Sequence, residues 1–333
     1  MFLATSFSPG LLPQAVPQPM HIPDGFLSVL VSILFWVVSV IVIAIGLRKT
    51  NQVLGERQVP LMGVVAAAIF AGQMLNFSVT GGTSGHLLGA AIATILLGPW
   101  PAVVVMTSVV SVQALLFQDG GILALGANIF NMAVVGVFVS YAAYSVLVRL
   151  FKKQSWGIFV SGFVAAWASI FLASLSCAIQ LALSGTSPAD IAIPAMGGIH
   201  ALIGVGEGLI TAAALGFVFA ARKDLLQVGE AKPASSKGVL AVGGVMALAL
   251  AVLSPLASSN PDGLEWVAEQ NGFLEMAQGA LYSIIPDYVM PGVSDPALAT
   301  IAAGILGTLI VFVVAYGIGR AERRASAQES IQS

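Results

Sequence analysis

Apolar runs long enough to cross a bilayer recur along almost the whole of this chain, and they leave little freedom in what it can fold into. Stretches that reach across roughly 30 Å of hydrocarbon as helix lie at Phe26 to Leu47, Leu61 to Val79, Ile129 to Val148, Trp156 to Leu183 and Ile193 to Ala220. Between the second and third of these, His86 to Leu97 and Ala102 to Phe117 are parted by Gly98-Pro99-Trp100-Pro101, which predicts two shorter helices joined by a tight turn. Beyond a polar linker, further runs occupy Gly238 to Ala257 and Leu298 to Ile318, on either side of the long loop Ser258 to Pro296. The expected fold is therefore all-α and polytopic: seven membrane helices followed by a two-helix membrane hairpin. Composition agrees, since the 333 residues are 58% hydrophobic and only 8% charged, with a mean hydropathy of +0.96. A soluble domain is about one quarter charged.

The few charges are sorted. Every Lys and Arg falls in one set of loops: Arg48, Lys49 and Arg57; Arg149, Lys152 and Lys153; Arg222, Lys223, Lys232 and Lys237; Arg320, Arg323 and Arg324. The positive-inside rule makes those loops cytoplasmic, and nine spans put all of them on one side, whereas merging the two short central helices breaks that agreement. The opposite side carries acids and no bases, among them Asp24, Asp119, Asp190, Asp262 and Asp287. Such a field favours the approach of cations, although topology alone also empties outer loops of positive charge. This sorting, with a formal net charge of -2, argues against a nucleic-acid partner; the surroundings the chain calls for are the lipid bilayer of a cell inner (plasma) membrane. The single cysteine, Cys177, lies in an apolar run and reads as packing.

Candidate chemistry is confined to a handful of polar residues. If a free amino group begins at Met20, that amine, the His21 amide nitrogen and the His21 imidazole form two fused chelate rings on one metal, of the kind Cu(II), Ni(II) and Co(II) accept. Nineteen residues precede Met20. They lack the basic start and apolar core of a secretory signal, so they read as a mis-assigned start, a segment removed by processing, or an exterior tail. The plain reading of Met20 to Leu27 is a polar loop entering a helix. The other two histidines are expected near the same outer side: His86 opens the third span after the glycine-rich Thr80 to Gly85, and His200 lies about two turns into the seventh. Glu207 stands seven positions after His200 on the same helix face, and a carboxylate at that depth is a functional-site candidate. Support for packing against a partner helix reads slightly ahead of a proton relay or metal pair. Gln73 and Asn76 lie near the end of the second span; Asp119, Asn128 and Asn131 surround the outer ends of the fourth and fifth. No P-loop is present, so the chain does not hydrolyse ATP by that means.

Several strings resemble one family in order and topology: Met20-His21-Ile22-Pro23-Asp24-Gly25-Phe26-Leu27; Asn76-Phe77 through Gly81-Gly82-Thr83-Ser84-Gly85-His86-Leu87-Leu88-Gly89; Gln113 to Phe117 with Asp119-Gly120-Gly121; Leu125 to Met132; and His200 to Glu207. Together they resemble the CbiM/NikM substrate-binding membrane subunits of cobalt and nickel energy-coupling-factor (ECF) transporters, over Met20 to Arg222. The remainder, with Ser259-Asn260-Pro261-Asp262-Gly263-Leu264-Glu265 and later Ile285-Pro286-Asp287-Tyr288, resembles the small CbiN/NikN-like companion, here fused. The expected organisation is an extension at 1–19, a metal-binding membrane domain at 20–222, a cytoplasmic linker at 223–237, the fused two-helix region at 238–324 and a cytoplasmic tail at 325–333.

What the resemblance implies is specific. The transported Co(II) or Ni(II) is held by the amine and amide nitrogens of Met20 and His21, by the His21 imidazole and by the His86 imidazole, with Asn76 and Ser84 beside the site and His200 and Glu207 in support. The chain is then no enzyme but the metal-capturing subunit of an importer, with a membrane coupling (T) subunit and two cytoplasmic ATPases as partners and no bound cofactor of its own. The rival readings are a secondary cation/proton transporter using Glu207, and an intramembrane metal-dependent hydrolase. The latter needs a second helix-borne histidine beside His200 and Glu207, which the sequence lacks. The expectation from sequence is that replacing His21 or His86 abolishes metal binding while Glu207→Gln leaves it largely intact.

Overall fold

The computed structural model describes residues 20–332 apart from 56–57, 153, 222 and 227–235. The expected extension at 1–19, most of the linker, and the basic residues Arg57, Lys153, Arg222 and Lys232 lie outside the described residues. The chain is mostly helical. Six helices are long and apolar enough to cross a membrane: α1 (Val29–Val53), α4 with its π-helical last turn (Pro99–Phe117), the span Leu125–Leu150, α7 (Ser155–Leu183), α8 (Ala189–Ala221), and α11 (Pro296–Gln332) over Pro296–Ala325. The span Leu125–Leu150 consists of α5 (Leu125–Ile129), a π-helical turn at Phe130–Val135, and α6 (Gly136–Leu150). Two shorter apolar helices, α2 (Gln58–Gln73) and α9 (Ser236–Leu253), accompany them.

Two of the expected spans are shorter than the hydropathy suggests. The run 61–79 leaves the helix at Gln73, and Phe77–Val79 (β1) pairs antiparallel with Thr83–Gly85 (β2), so the fold carries a small hairpin in place of the last two turns. The run 86–97 is non-helical through Gly89, which turns in the left-handed region at φ +79°, and helical only over α3 (Ala90–Leu97). Eight residues rise about 12 Å, too little to span alone. The break before α4 does fall at Gly98, which has φ +83° and no helical continuation, with Pro99 opening the next helix. Non-helical backbone at this depth is tolerable only when protein supplies its hydrogen bonds. At the other end of the prediction, α8 begins at Ala189, one turn earlier than expected, because the Pro188 carbonyl accepts from Ile191 and Ala192 and Pro194 is accommodated near the start. His200 is consequently about three turns into its helix rather than two.

Helix faces explain the packing. On α1, Leu30, Ile33, Val37 and Ile41 are exposed, while Ser32, Ser39, Gly46 and Thr50 are buried, and the Ser39 hydroxyl donates to the Gly126 carbonyl at 2.7 Å. The apolar face suits lipid, and the small polar face lets α5 come close. α7 and α8 pack along one another, and α9 and α11 of the second region both lie against α2. The core between α2, α4 and α11 contains Phe70, Phe117, Met62 and Met106, all fully buried.

The loop that precedes α11 folds back over the first region. It contains α10 (Gly263–Gln270), and its backbone amides at Ser258, Gln278 and Ile285 donate to the carbonyls of Asn76, Asp24 and Leu116. Deep contact between the regions is set at Gly63, where an added Cβ meets the Phe312 ring at 2.9 Å and its carbonyl oxygen at 3.1 Å. Gly63→Val is expected to push α2 off α11 at a cost of about 1–3 kcal/mol, seen as a lower thermal midpoint of the detergent-solubilised protein. Gly317→Ala, whose Cβ meets nothing within 4 Å, is expected to leave that midpoint unchanged.

Candidate metal-binding site

His21 sits on a non-helical stretch held from several directions. The Asn128 side chain accepts from the Ile22 amide and donates to the Ile22 carbonyl, each at 3.0 Å, copying a strand ladder with one amide group. The Asp24 carboxylate accepts from the amides of Ile122 and Ala124 at 3.1 and 3.0 Å, and the Gly121 amide donates to Ile22 at 2.9 Å. Gly120 is required twice over: its φ is +98°, and a Cβ there meets Asn128 Nδ2 at 2.9 Å and His21 Cβ at 3.0 Å. The loop after α4 therefore lies directly on the His21 backbone.

That loop also carries Asp119. His21 Nδ1 lies 3.2 Å from the Asp119 carbonyl oxygen and 3.2 Å from its Oδ1, the latter an ion-pair contact off the hydrogen-bond line. Asp119 Oδ2 accepts from the Tyr288 hydroxyl at 2.5 Å, and the Tyr288 ring stacks on Phe117 with centroids 4.7 Å apart. The His21 Nε2 is buried and has no hydrogen-bond partner among the described residues.

His86 approaches from the extended stretch after β2. Glu207, fully buried in α8, accepts from the amides of Leu88 at 2.7 Å and Gly89 at 3.0 Å, and the Leu88 carbonyl accepts from Gln73 Nε2 at 2.9 Å. Gln113 Nε2 in turn donates to Gln73 Oε1 at 2.8 Å. The orphan backbone groups of this turn are thus met by side chains from two helices, one of them braced by Gln113. His86 Nδ1 is 3.1 Å from the Leu87 carbonyl, and the His21 and His86 rings meet edge to face with centroids 5.5 Å apart.

A cavity of about 80 Å³ joins these groups, lined by Met20, His21, His86, His200, Cys177 and Asp262 among others. Asp262 belongs to the loop of the second region. Each residue of Pro261-Asp262-Gly263-Leu264-Glu265 has a structural task there. The Pro261 carbonyl accepts from the Ser84 amide at 2.8 Å and the Thr83 hydroxyl at 3.0 Å, and Asp262 and Glu265 form a reciprocal capping box on α10. Gly263 lies against His200, and Leu264 is buried at the cavity wall.

Burial and neighbouring charge set the protonation of the loop groups. For His21 burial pulls downward, but the charge and hydrogen bonds of Asp119 outweigh it and the imidazole rises above its ordinary value. Asp119 is held low by His21 and Tyr288 against the upward pull of burial. Burial lifts Asp262 to about 7.

Residues 21–225 match the family described as the cobalt uptake substrate-specific transmembrane region, CbiM, and residues 237–324 match the PDGLE domain. The chain belongs to the CbiM family. A relative from Archaeoglobus fulgidus, assigned as a fused nickel transport protein NikMN, is 38% identical over 92% of this chain and its own full length. The fused nickel transport protein NikMN of Rhodobacter capsulatus is 30% identical over 90% of this chain and 96% of its own. The cobalt transport protein CbiM of Acetohalobium arabaticum is 35% identical over 49% of this chain and 64% of its own. Two crystal structures are similar: a transition metal transporter (TM-score 0.55, 33% identity, 62% of this chain and 96% of that one) and a truncated transition metal transporter (TM-score 0.54, 34% identity, 60% and 98%). The protein is thus a multi-pass membrane protein whose relatives are named for cobalt and nickel transport.

Against the family expectation, the structure brings Met20, His21 and His86 together and adds His200 to the same cavity. Asn76 and Ser84 do not line it. The main-chain carbonyl of Asn76 accepts from the Ser258 amide while its side-chain Oδ1 is buried without a partner among the described residues, and the Ser84 hydroxyl donates to the Asn260 carbonyl of the second region at 2.9 Å. Asn131 bridges to α7 through Gln180 and Ser176, as a helix-helix hydrogen bond should. Asp119, placed by the sequence only around the outer ends of the fourth and fifth spans, is brought against His21, and Asp262 and Tyr288 join from the second region. The sequence signal for Asp119 is an acid directly before Gly120-Gly121; for the other two only the fold joins distant segments.

Glu207 is more than replaceable packing, because each carboxylate oxygen is an acceptor for the turn that carries His86. A glutamine keeps one acceptor and points an N–H at the other amide. Glu207→Gln is therefore expected to destabilise by about 1–3 kcal/mol and to weaken metal binding by displacing His86, measured by calorimetry and by Ni(II) titration; unaltered values for both would show that the turn holds without it.

Proposed function

We propose that this protein is the metal-capturing component of an ECF importer for nickel or cobalt, taking the divalent ion on the outer side of the membrane. The observation that carries the reading is the meeting of His21 and His86 with Met20 at one buried cavity. Seven crossings in 20–222, counting α3 with its flanking extended segment as one, and two in 238–324 leave every basic loop on one face, which supports a cytoplasmic assignment for that face. The acid-bearing side and the metal cavity then face outward.

In the chelate mode, the amine of Met20, the amide and imidazole of His21 and the imidazole of His86 hold the ion in four nitrogens. Two features support it. The His21 amide nitrogen donates no hydrogen bond among the described residues, and the His86 ring stands edge to face with the His21 ring at 5.5 Å between centroids. The mode carries two conditions. Met20 must present a free amine, so 1–19 must be absent from the working chain. Only Nδ1 of His21 closes a six-membered ring with its own amide, and Nδ1 faces Asp119 here, so the imidazole must turn about Cβ–Cγ, bringing Nε2 toward Asp119.

Transport itself needs partners: a membrane coupling subunit and two cytoplasmic ATPases, with release by reorientation in the bilayer. The two hydrogen bonds that engage Glu207 speak against its use as an exchanger's proton carrier. Uptake is expected to survive collapse of the proton gradient and to stop when the ATPases are inactivated; the reverse pattern would favour the exchanger. His21→Ala and His86→Ala are each expected to abolish Ni(II) or Co(II) binding by the purified protein in equilibrium dialysis. The mass of the purified chain is expected to show a start at Met20 if the chelate mode operates.

A further inference from the structure

A second cavity lies away from the histidines, between the two regions of the chain. Its volume is about 540 Å³, its walls come from α2, α3, α8 and α9, and every residue that lines it is apolar or glycine. Such walls give water no hydrogen-bond partner to hold it, and a packed interior rarely keeps a space far larger than a water molecule to itself. The four helices also show where a guest enters. α2 packs on both α3 and α9, and α3 on α8, while α8 and α9 make at most marginal contact among the described residues. Ile210 and Phe217 of α8 and Val242 of α9 line the cavity and are exposed on the molecular surface as well. The mouth is therefore the cleft between those two helices, and at membrane depth the phase outside it is hydrocarbon.

Dimensions select a lipid tail over a partner helix. The lining runs from Leu61 to Gly72 along α2 and from Ala221 back to Ile210 along α8, each about 16 Å of helix rise. That is half of a hydrocarbon layer roughly 30 Å thick, the reach of one leaflet's chains. The volume of about 540 Å³ takes a chain of about eighteen carbons, each methylene needing a little under the roughly 30 Å³ of a liquid water molecule. A helix is about 10–12 Å across with its side chains and fits only if α9 moves off α2. α9 is tightly seated there, since a Cβ on Gly243 would collide with the Val64 side chain. Directly after Ala221 the sequence runs into Arg222-Lys223, a positive charge that suits an anionic headgroup.

We propose that the cleft between α8 and α9 holds one acyl chain of a membrane phospholipid from the leaflet on the basic-loop side. The tail fills the space between the first region and the fused one, and it supports α9 on the side facing α8, where protein contact is least. The site is separate from the metal cavity and does not depend on the metal-capture reading.

The probe is palmitoyl-oleoyl phosphatidylglycerol. The full chain is incubated with it in detergent, washed with lipid-free detergent and weighed by native mass spectrometry, and a single lipid per chain is expected to remain. Ala214→Phe and Ala68→Phe place a ring in the cavity from two different helices, and each is expected to lower that occupancy about tenfold or more. Val245→Phe, on α9 at a position 69% exposed and outside the lining, is expected to keep it. Independently of any variant, the thermal midpoint of the wild type is expected to rise with this lipid and not with its dihexanoyl analogue, which carries the same headgroup on chains too short to fill the cleft. A wild type that retains no lipid, filled variants that retain as much as the wild type, or equal rises with the two lipids would overturn the proposal. So would unchanged lipid in Ala214→Phe together with loss of the coupling subunit on co-purification, the outcome expected of a cleft that takes a partner helix.

Discussion

Backbone that leaves a helix at membrane depth must find its hydrogen bonds inside the protein, and the turn at Leu88 and Gly89 finds them on Glu207. Two amides on one buried carboxylate tie the segment carrying His86 to α8, while Gln73 and Gln113 tie its carbonyl to α2 and the end of α4. The stretch carrying His21 is held in the same manner by Asn128 and Asp24. Neither histidine would meet the other if these polar side chains were apolar, because both segments would have to continue as helix to satisfy themselves. The cost of burying this polar network is offset where it matters for the backbone: both Glu207 oxygens and Gln73 Oε1 accept, although Gln113 Oε1 at the end of this chain of bonds finds no donor among the described residues.

The second region acts on the site through the same logic. Its loop adds edge contacts to the hairpin at Ser84, a carboxylate at Asp262 and a hydroxyl at Tyr288 that donates to Asp119. Asp119 is thus shared between a ligand candidate and a fused companion, so a displacement of the loop is felt at His21 with no intermediate side chain beyond one carboxylate. Fusion keeps the loop at this place by chain connectivity, with α9 and α11 packed on α2 beneath it.

Much of this was legible in the residues alone. Hydropathy determined a polytopic helical protein, charge sorting determined that its loops fall into two classes, and Gly98-Pro99 determined where the central helices break. Met20-His21 and His86 were recognisable as a pair because imidazoles are scarce in a chain this apolar. Hydropathy could not see that 77–79 and 86–89 leave the helix, since an apolar residue in a buried strand scores the same as one in a span. It could not see that Glu207 serves a backbone turn, nor that Asp119, Asp262 and Tyr288 converge on the histidines. Those residues lie 98 to 267 positions from His21, and only tertiary packing, which trades helix hydrogen bonds for side-chain partners, decides which distant groups meet.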